Sequence, residues 1–219
     1  MAKTRLKGDY GKITTLTLGA EVSATTTLTE DVWYLVTAID DSSSGFPAGA
    51  TVGYFYRSDG SETLAGDDTC KPATFTDKCD IQNWKLDFSK DDIEITTLCD
   101  NTKTYLPGDT DITGSMTGVF KIGTTDTVGG IQNAFVPIVQ ASGTYAVNAI
   151  NEDQIYLKLV TQEDTDTDET EQFYIVPATF NSFNQGATRG EAQTFDAGFR
   201  LAPDDVNGVE FAYYSYTHS

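Results

Sequence analysis

Several short runs of the chain alternate apolar residues with Thr, Ser or charged residues, which is the spacing of a half-buried β-strand. Lys12–Leu18 and Gln154–Thr161 show this alternation. Val32–Ile39 is a denser apolar run bounded by acidic residues on both sides and indicates a core strand. Thr51–Arg57 is its expected hairpin partner, across a loop rich in Ser, Gly and Pro at 42–49.

Two longer ribbons follow the same alternation. The first comprises Asn83–Ser89, a turn at Asp91-Asp92, a continuation through Ile93 and Ile95, and then Asp111–Phe120. The second comprises Phe173–Phe183, a Gly-containing turn and Glu191–Leu201. Further strands are expected at Tyr145–Val147 and Val209–Tyr216. The sequence therefore predicts a mainly β, antiparallel protein.

Two segments do not fit the strand pattern. Thr127–Val139 has Ile131, Phe135 and Ile138 three to four residues apart and predicts one helix, which Pro137 keeps short or kinked. Ser58–Ile81 lacks a clear period and is predicted to be a long polar loop. We expect this loop to become ordered against another subunit.

The charge is strongly acidic, with 14 Lys and Arg against 33 Asp and Glu and a net charge of −19. This balance excludes nucleic-acid binding by phosphate neutralisation, which requires basic side chains. Lys3, Arg5 and Lys7 cluster in residues 1–11. We expect this segment to be an N-terminal arm that docks onto the acidic body of a neighbouring copy.

The sequence offers little support for catalysis. His218, next to the last residue, is the single histidine, and no nucleophile-elbow, phosphate-binding or dinucleotide-binding motif occurs. Asp164, Asp166 and Asp168 have the spacing of the first three ligands of a calcium-binding EF-hand loop. That loop also needs Gly at its sixth position and Glu at its twelfth, and the chain has Glu169 and Ile175 there. We therefore predict a protein that is not an enzyme, with no catalytic, cofactor-binding or metal-binding residue and no cofactor.

The cysteines and the lack of a recognisable targeting segment bear on the redox state and the compartment of the protein. Cys70, Cys79 and Cys99 lack metal-ligand spacing, and no secretory signal is evident, so we expect reduced thiols and a protein made and kept in the cytoplasm. A bridge between Cys70 and Cys79 is the alternative in an oxidising medium. No apolar run approaches the ~18 residues of a membrane span.

Trp33 and Trp84 are expected in the core. The three tyrosines near the end alternate faces, so some must be exposed or covered by a partner: Tyr213, Tyr214 and Tyr216.

The two ribbons together resemble the major tail tube protein of tailed bacteriophages. From Ile93 to Phe120 the chain has a Thr-rich strand, a short loop, Pro-Gly, Asp and a strand rich in Gly and Ser. From Phe173 a long strand and a Gly-containing turn lead to a segment ending Phe-Arg-Leu at Leu201. The helix predicted at Thr127–Val139 lies between them, and the resemblance spans about Lys12 to Leu201.

The resemblance implies an architecture and a role. The chain, 1–219, would form a single antiparallel β-sandwich or barrel domain flanked by one short helix, with an inter-ring loop at 58–81 and a C-terminal strand within 202–219. Six copies would form a ring, and stacked rings would form the hollow tail tube of a virion, through which DNA is ejected. Secretion-system tubes and baseplate hub proteins share this fold.

The resemblance also implies partners. A tape measure protein would fill the lumen during assembly, and tail terminator and baseplate or tip proteins would bind the ends of the tube. A sheath would surround the tube in a contractile tail. Genomic DNA would pass without specific binding, and we expect part of the carboxylate excess to line an acidic lumen that repels phosphates.

Two other classes fit an acidic β-rich chain. One is a carbohydrate-binding or adhesin-like β-sandwich, which concave aromatic patches or calcium dependence would favour. The other is a capsid decoration protein, which would form a trimer on a capsid and would not polymerise.

Overall fold

A computed structural model describes residues 12–40, 44–77, 81–94, 105–119, 138–141, 144–147, 154–162 and 170–217. All regular elements in these ranges are strands, and the described residues form thirteen of them. They are β1 (Ile13–Leu18), β2 (Val22–Ser23), β3 (Trp33–Ala38), β4 (Phe55–Arg57), β5 (Thr69–Asp77), β6 (Ile81–Glu94), β7 (Tyr105–Val119), β8 (Ile138–Ala141), β9 (Thr144–Val147), β10 (Ile155–Gln162), β11 (Thr170–Gly186), β12 (Thr194–Leu201) and β13 (Ala212–Thr217).

Eleven strands form one antiparallel sheet in the order β4-β3-β5-β1-β10-β11-β12-β7-β6. β13 pairs with β11, and β2 pairs with β5. The long strand β11 organises this sheet, because Thr170–Ile175 pairs with β13 whereas Ala178–Gly186 pairs with β12. β8 and β9 form a separate hairpin.

The sheet curls so that β13 lies beside β4 and encloses an aromatic core. Between these strands there is no ladder; the backbone N–H of Phe55 donates to the hydroxyl of Tyr214 over 3.0 Å. Glu210 N–H donates to the carbonyl of Gly53 over 3.4 Å. The enclosed buried residues are Leu16, Trp33, Leu35, Phe55, Ala73, Val160, Phe173, Ile175 and Val209. This part of the molecule is an open barrel whose seam is closed by isolated hydrogen bonds and side-chain packing.

A second core lies on the other face of β1, β10 and β11, where β12, β7 and β6 fold back to form a second layer. Its buried members are Ile13, Met116, Leu157, Leu159, Val176, Ala178, Phe195, Ala197 and Phe199. The predicted antiparallel sandwich or barrel is therefore confirmed, and its two layers arise because β10 and β11 carry apolar residues on both faces.

Most predicted strands are present. The alternating runs form β1, β10, β11 and β12, and the dense run forms β3, paired with β4 as expected. Trp33 is buried, as predicted, and Trp84 packs partly buried against the second core. Cys70 is a buried free thiol, whereas Cys79 and Cys99 lie outside the described residues.

Three predictions need correction. The predicted loop Ser58–Ile81 contains the nine-residue strand β5, which lies inside the sheet between β3 and β1. Asp91-Asp92 is not a turn, because β6 runs through it with a register shift between Lys90 and Asp92. Of the predicted helix, Ile138 and Val139 lie in strand β8, and the preceding residues fall outside the described part.

Candidate assembly surface

The layer formed by β6, β7, β12 and the end of β11 has two chemically different faces. Its inner face is apolar: Met116 and Ala197 are fully buried, and Phe195 and Phe199 nearly so. The residues between them in the strands point the other way and are polar or glycine. They are Lys85 and Asp87 on β6, Asp111, Thr113, Ser115 and Thr117 on β7, Thr194, Asp196, Gly198 and Arg200 on β12, and Ser182 and Asn184 on β11. We call this set the polar face.

The polar face carries charges of both signs with an acidic excess. Asp87, Asp196 and Asp111 oppose Lys85 and Arg200. Lys85 is already engaged, since its Nζ lies 2.6 Å from a carboxylate oxygen of Asp87. The predicted alternation of Thr113, Ser115 and Thr117 with apolar neighbours is thus seen in the structure, with one face of β7 in the core and the other in solvent.

The layer ends in an open edge. β6 is the last strand in the sheet order, has 14 residues and pairs with β7 alone among the described strands. At the opposite end of the order, β4 has three residues. A long edge strand exposes a row of backbone N–H and C=O groups that can pair with another chain. β6 is therefore the strand best suited to extend this sheet into a second subunit.

Four aromatic residues lie beside this edge, and two of them are exposed. Phe88 of β6 is 55% exposed, and its ring centroid lies 5.8 Å from that of Phe211 and 6.4 Å from that of Tyr174. Tyr213, 49% exposed, lies 4.8 Å from Tyr174. We call these four residues the aromatic patch. The prediction that some C-terminal tyrosines are exposed is confirmed for Tyr213, whereas Tyr214 and Tyr216 pack against the barrel core.

The part of the predicted inter-ring loop before β5 is bound to its own chain. Leu64 is 1% exposed, its N–H donates to Thr26 O over 3.0 Å, and its carbonyl accepts from Thr25 N–H over 2.9 Å. Leu28 N–H donates to the carbonyl of Glu62 over 2.9 Å. No second subunit is needed to hold these residues in place, so an inter-ring role for them stays a prediction.

Asp68 fixes the neighbouring loop. One carboxylate oxygen accepts from the N–H of Asp40 over 2.8 Å, and the other accepts from Gly45 N–H over 2.5 Å and from Ala65 N–H over 3.2 Å. Burial raises the pKa of Asp68, but these hydrogen bonds outweigh burial and bring the pKa below its ordinary value. The carboxylate therefore stays ionised and acts as a fixed acceptor.

Sequence reasoning missed a buried ion pair inside the barrel. Lys158 alternates inward with Tyr156 and Val160, and its Nζ lies 2.5 Å from Glu171 and 4.1 Å from the ring centroid of Phe173. Burial lowers the pKa of Lys158, against the opposing effect of Glu171. The sequence feature that could have revealed this pair is Lys158 itself, a lysine within the otherwise apolar and aromatic run of β10.

The remaining predicted site residues lie outside the described part of the chain, and the described part contains no cluster of metal-ligating residues. The basic residues of the arm, the acidic run at 163–169 and His218 lie outside. Within the described residues, no group of three or more His, Cys, Asp or Glu is arranged to hold a metal ion. The same residues contain no helix long and apolar enough to cross a membrane.

Comparisons with solved structures find similar chains in phage-like particles, among them the following two. No family model and no curated protein matches the chain. The chain is similar to a chain in the virion of a native gene transfer agent (GTA) particle, at 13% identity and a TM-score of 0.41, over 64% of this chain and 88% of that one. It is also similar, at the same identity and TM-score, to a chain in the tail of an empty GTA particle with C6 symmetry, over 64% of this chain and 86% of that one.

Proposed function

We propose that this chain is the subunit of a hollow tail tube in a phage-like particle. In this proposal six copies form a ring, rings stack into a tube, and the tube conducts DNA into a host. The role is structural and non-enzymatic. The resemblance of the two ribbons to the major tail tube family motivates the proposal, and the two-faced layer described above is the observation that carries it.

The two faces of the layer suit a wall between a core and a channel. The inner face is sealed by the second core, so this side does not need a partner. The polar face has only small polar, charged or glycine positions along β7 and β12, which is what a water-filled channel requires of its lining. We therefore assign the polar face to the lumen.

The open edge suits ring closure. A ring repeats one heterologous interface around its axis, so that each copy uses two different surfaces. The long edge of β6 would supply one of these surfaces. The aromatic patch beside it would add apolar contact area, which backbone pairing alone does not provide.

The charge suits passage of DNA. The net charge is −19, and acidic residues outnumber basic ones on the polar face. A lining with this sign repels phosphates, so a polyanion passes without sticking. The same proposal includes the tape measure protein as the occupant of the lumen before ejection, with terminator and baseplate or tip proteins at the tube ends.

Access to Ser115, at the centre of the polar face, tests this assignment. In a variant with Cys79 and Cys99 replaced by serine, Ser115→Cys is labelled in assembled protein with a small maleimide and with a maleimide on a large polymer. We expect the small reagent to react and the large one to be excluded. In dissociated protein both should react, since the polar face is then open.

Val206→Cys in the same background is the control, because Val206 is 91% exposed in the turn after β12 and lies outside the layer. It should react with both reagents in either state. Equal reaction of Ser115→Cys with the large reagent before and after assembly would place the polar face outside the tube and contradict the assignment.

A further inference from the structure

One end of the barrel is closed by the turn that follows β12. Asp204 is 6% exposed, and one of its carboxylate oxygens accepts from the N–H groups of Val206 and Asn207 over 3.0 and 3.1 Å. Its other oxygen accepts from the hydroxyl of Tyr156 and from Nδ2 of Asn207, the latter over 2.6 Å. The side-chain amide of Asn207 is therefore held in one orientation by a buried carboxylate.

A lysine from a distant strand reaches the other side of this amide. Lys71 of β5 points into the same end of the barrel, and its Nζ lies 2.7 Å from Oδ1 of Asn207. The two residues are 136 positions apart in the chain. Nδ2 of Asn207 also donates to the hydroxyl of Tyr156 over 3.1 Å. An amine, a carboxamide and a carboxylate thus meet in one small cluster.

We propose that Lys71 and Asn207 form an intramolecular isopeptide bond. Nζ of Lys71, after losing one proton to solvent, attacks Cγ of Asn207. The new bond joins Nζ to Cγ, the bond from Cγ to Nδ2 breaks, and Nδ2 leaves as ammonia with a second proton from Nζ and then takes up a proton from solvent. The lysine ammonium and the carboxamide become a secondary amide and an ammonium ion, so that atoms, charge and electrons balance without a co-reactant.

The geometry favours this reaction in two ways. Because the fold already holds the two groups in contact, the reaction avoids much of the entropy cost of a bimolecular step. Asp204 also has a pKa below its ordinary value, because hydrogen bonds from Tyr156 and Asn207 outweigh the effect of burial, so it stays ionised and holds the carboxamide of Asn207 in place. The amine and its electrophile are both in place in the folded chain.

The structure also disfavours the competing reaction of this amide. In an Asn-Gly sequence the backbone nitrogen of the glycine can attack the asparagine side chain and form a succinimide. Here the N–H of Gly208 donates to the carbonyl of Asp204 over 2.7 Å. This hydrogen bond holds the Gly208 nitrogen in the turn and leaves Lys71 as the better-placed nucleophile.

Intact mass and peptide mapping of the full-length protein test the proposal. After purification and prolonged incubation at 37 °C, we expect a mass lower by about 17 Da, the mass of one ammonia. A protease digest should contain one branched peptide that joins the segments around Lys71 and Asn207. Full mass with both peptides recovered unjoined would overturn the proposal.

Variants separate the isopeptide from a succinimide, which has the same mass. Lys71→Arg should abolish the mass loss, whereas the exposed control Lys85→Arg should retain it. Asp204→Asn should slow the reaction about a hundredfold, because the carboxamide of Asn207 loses the carboxylate that orients it. Mass loss that persists in Lys71→Arg, or cleavage of the wild-type chain by hydroxylamine between Asn207 and Gly208, would assign the change to the succinimide and refute the isopeptide. If a variant does not fold, the branched peptide in the wild type decides the matter alone.

Discussion

At the residue scale, a few polar side chains buried among apolar ones determine how loops and strands meet. Asp68 ties the segment before β4 to the start of β5, and Lys158 with Glu171 occupies one end of the aromatic barrel core. Each is satisfied by hydrogen bonds, an ion pair or a ring contact, as buried polar groups require. Loss of one partner should cost more than loss of an exposed contact.

Asp68 should make stability depend on acidic pH. Its pKa in the folded protein lies below the ordinary value of 3.8, so it contributes stability above pH 3.8 that is lost as the pH falls through the folded pKa. Asp68→Asn should lower the free energy of unfolding near neutral pH by about 1–3 kcal/mol, because buried N–H groups lose a charged acceptor. Urea unfolding between pH 7 and 2.5 should show a shallower decline for the variant than for the wild type. Equal slopes would refute this role.

Gly114 makes room for Phe199 in the second core. A Cβ at this position would lie 2.3 Å from Cζ of Phe199 and 2.7 Å from the carbonyl oxygen of Lys85. Gly114→Ala should therefore destabilise the fold by about 1–3 kcal/mol, the usual cost of overpacking. Thermal unfolding measures the change, with Gly186→Ala as the control, since the nearest atom there is 3.6 Å away. An unchanged midpoint for Gly114→Ala would contradict the packing described.

At the element scale, period-two alternation predicted the strands that are buried on at least one face, such as β1, β3, β10 and β11. It failed for β5, where inward-facing Lys71 and the strand residue Pro72 disguise a central strand. It also failed at Asp91-Asp92, because β6 continues through this acidic pair, which usually marks a turn. Tertiary contacts decided both cases, and a single sequence does not contain them.

Hydrogen exchange tests whether residues before β5 are ordered in the single chain. The N–H groups of Leu64 and Leu28 donate to backbone carbonyls within the chain, and both side chains are buried. Their exchange in unassembled protein should be slow, comparable with that of β3. Fast exchange in the monomer, slowing only on assembly, would instead favour a segment that orders against another subunit.

The aromatic patch beside β6 should matter for assembly and not for folding. Phe88→Asp replaces a residue that is 55% exposed, so the monomer should fold normally. Loss of about 1.5–3 kcal/mol of burial per interface should raise the concentration needed for assembly roughly tenfold or more. Sedimentation measures that concentration. Val206→Asp, at a residue 91% exposed and outside the patch, is the matched control. The same assembly concentration in both variants would remove the patch from the interface.

At the scale of the whole molecule, one eleven-stranded antiparallel sheet builds the two cores described above, a third buried cluster forms around Leu28, Val36 and Leu64, and the sheet presents an open edge. The composition predicted the acidic, β-rich character, and the ribbons predicted the two-faced strand β7. The networks at Asp68 and around Asn207 could not be predicted, because their members are far apart in the chain and meet only after the sheet curls. The proposed function depends on assembly surfaces that are repeated around a ring. A single sequence identifies such surfaces less clearly than it identifies catalytic motifs.

Electron microscopy of the purified chain over a range of concentrations, with and without added short tube fragments as seeds, tests the proposed role most directly. We expect hollow tubes of uniform width built from stacked six-fold rings. Particles that stay monomeric or trimeric at every concentration, even with seeds present, would contradict the tail tube proposal.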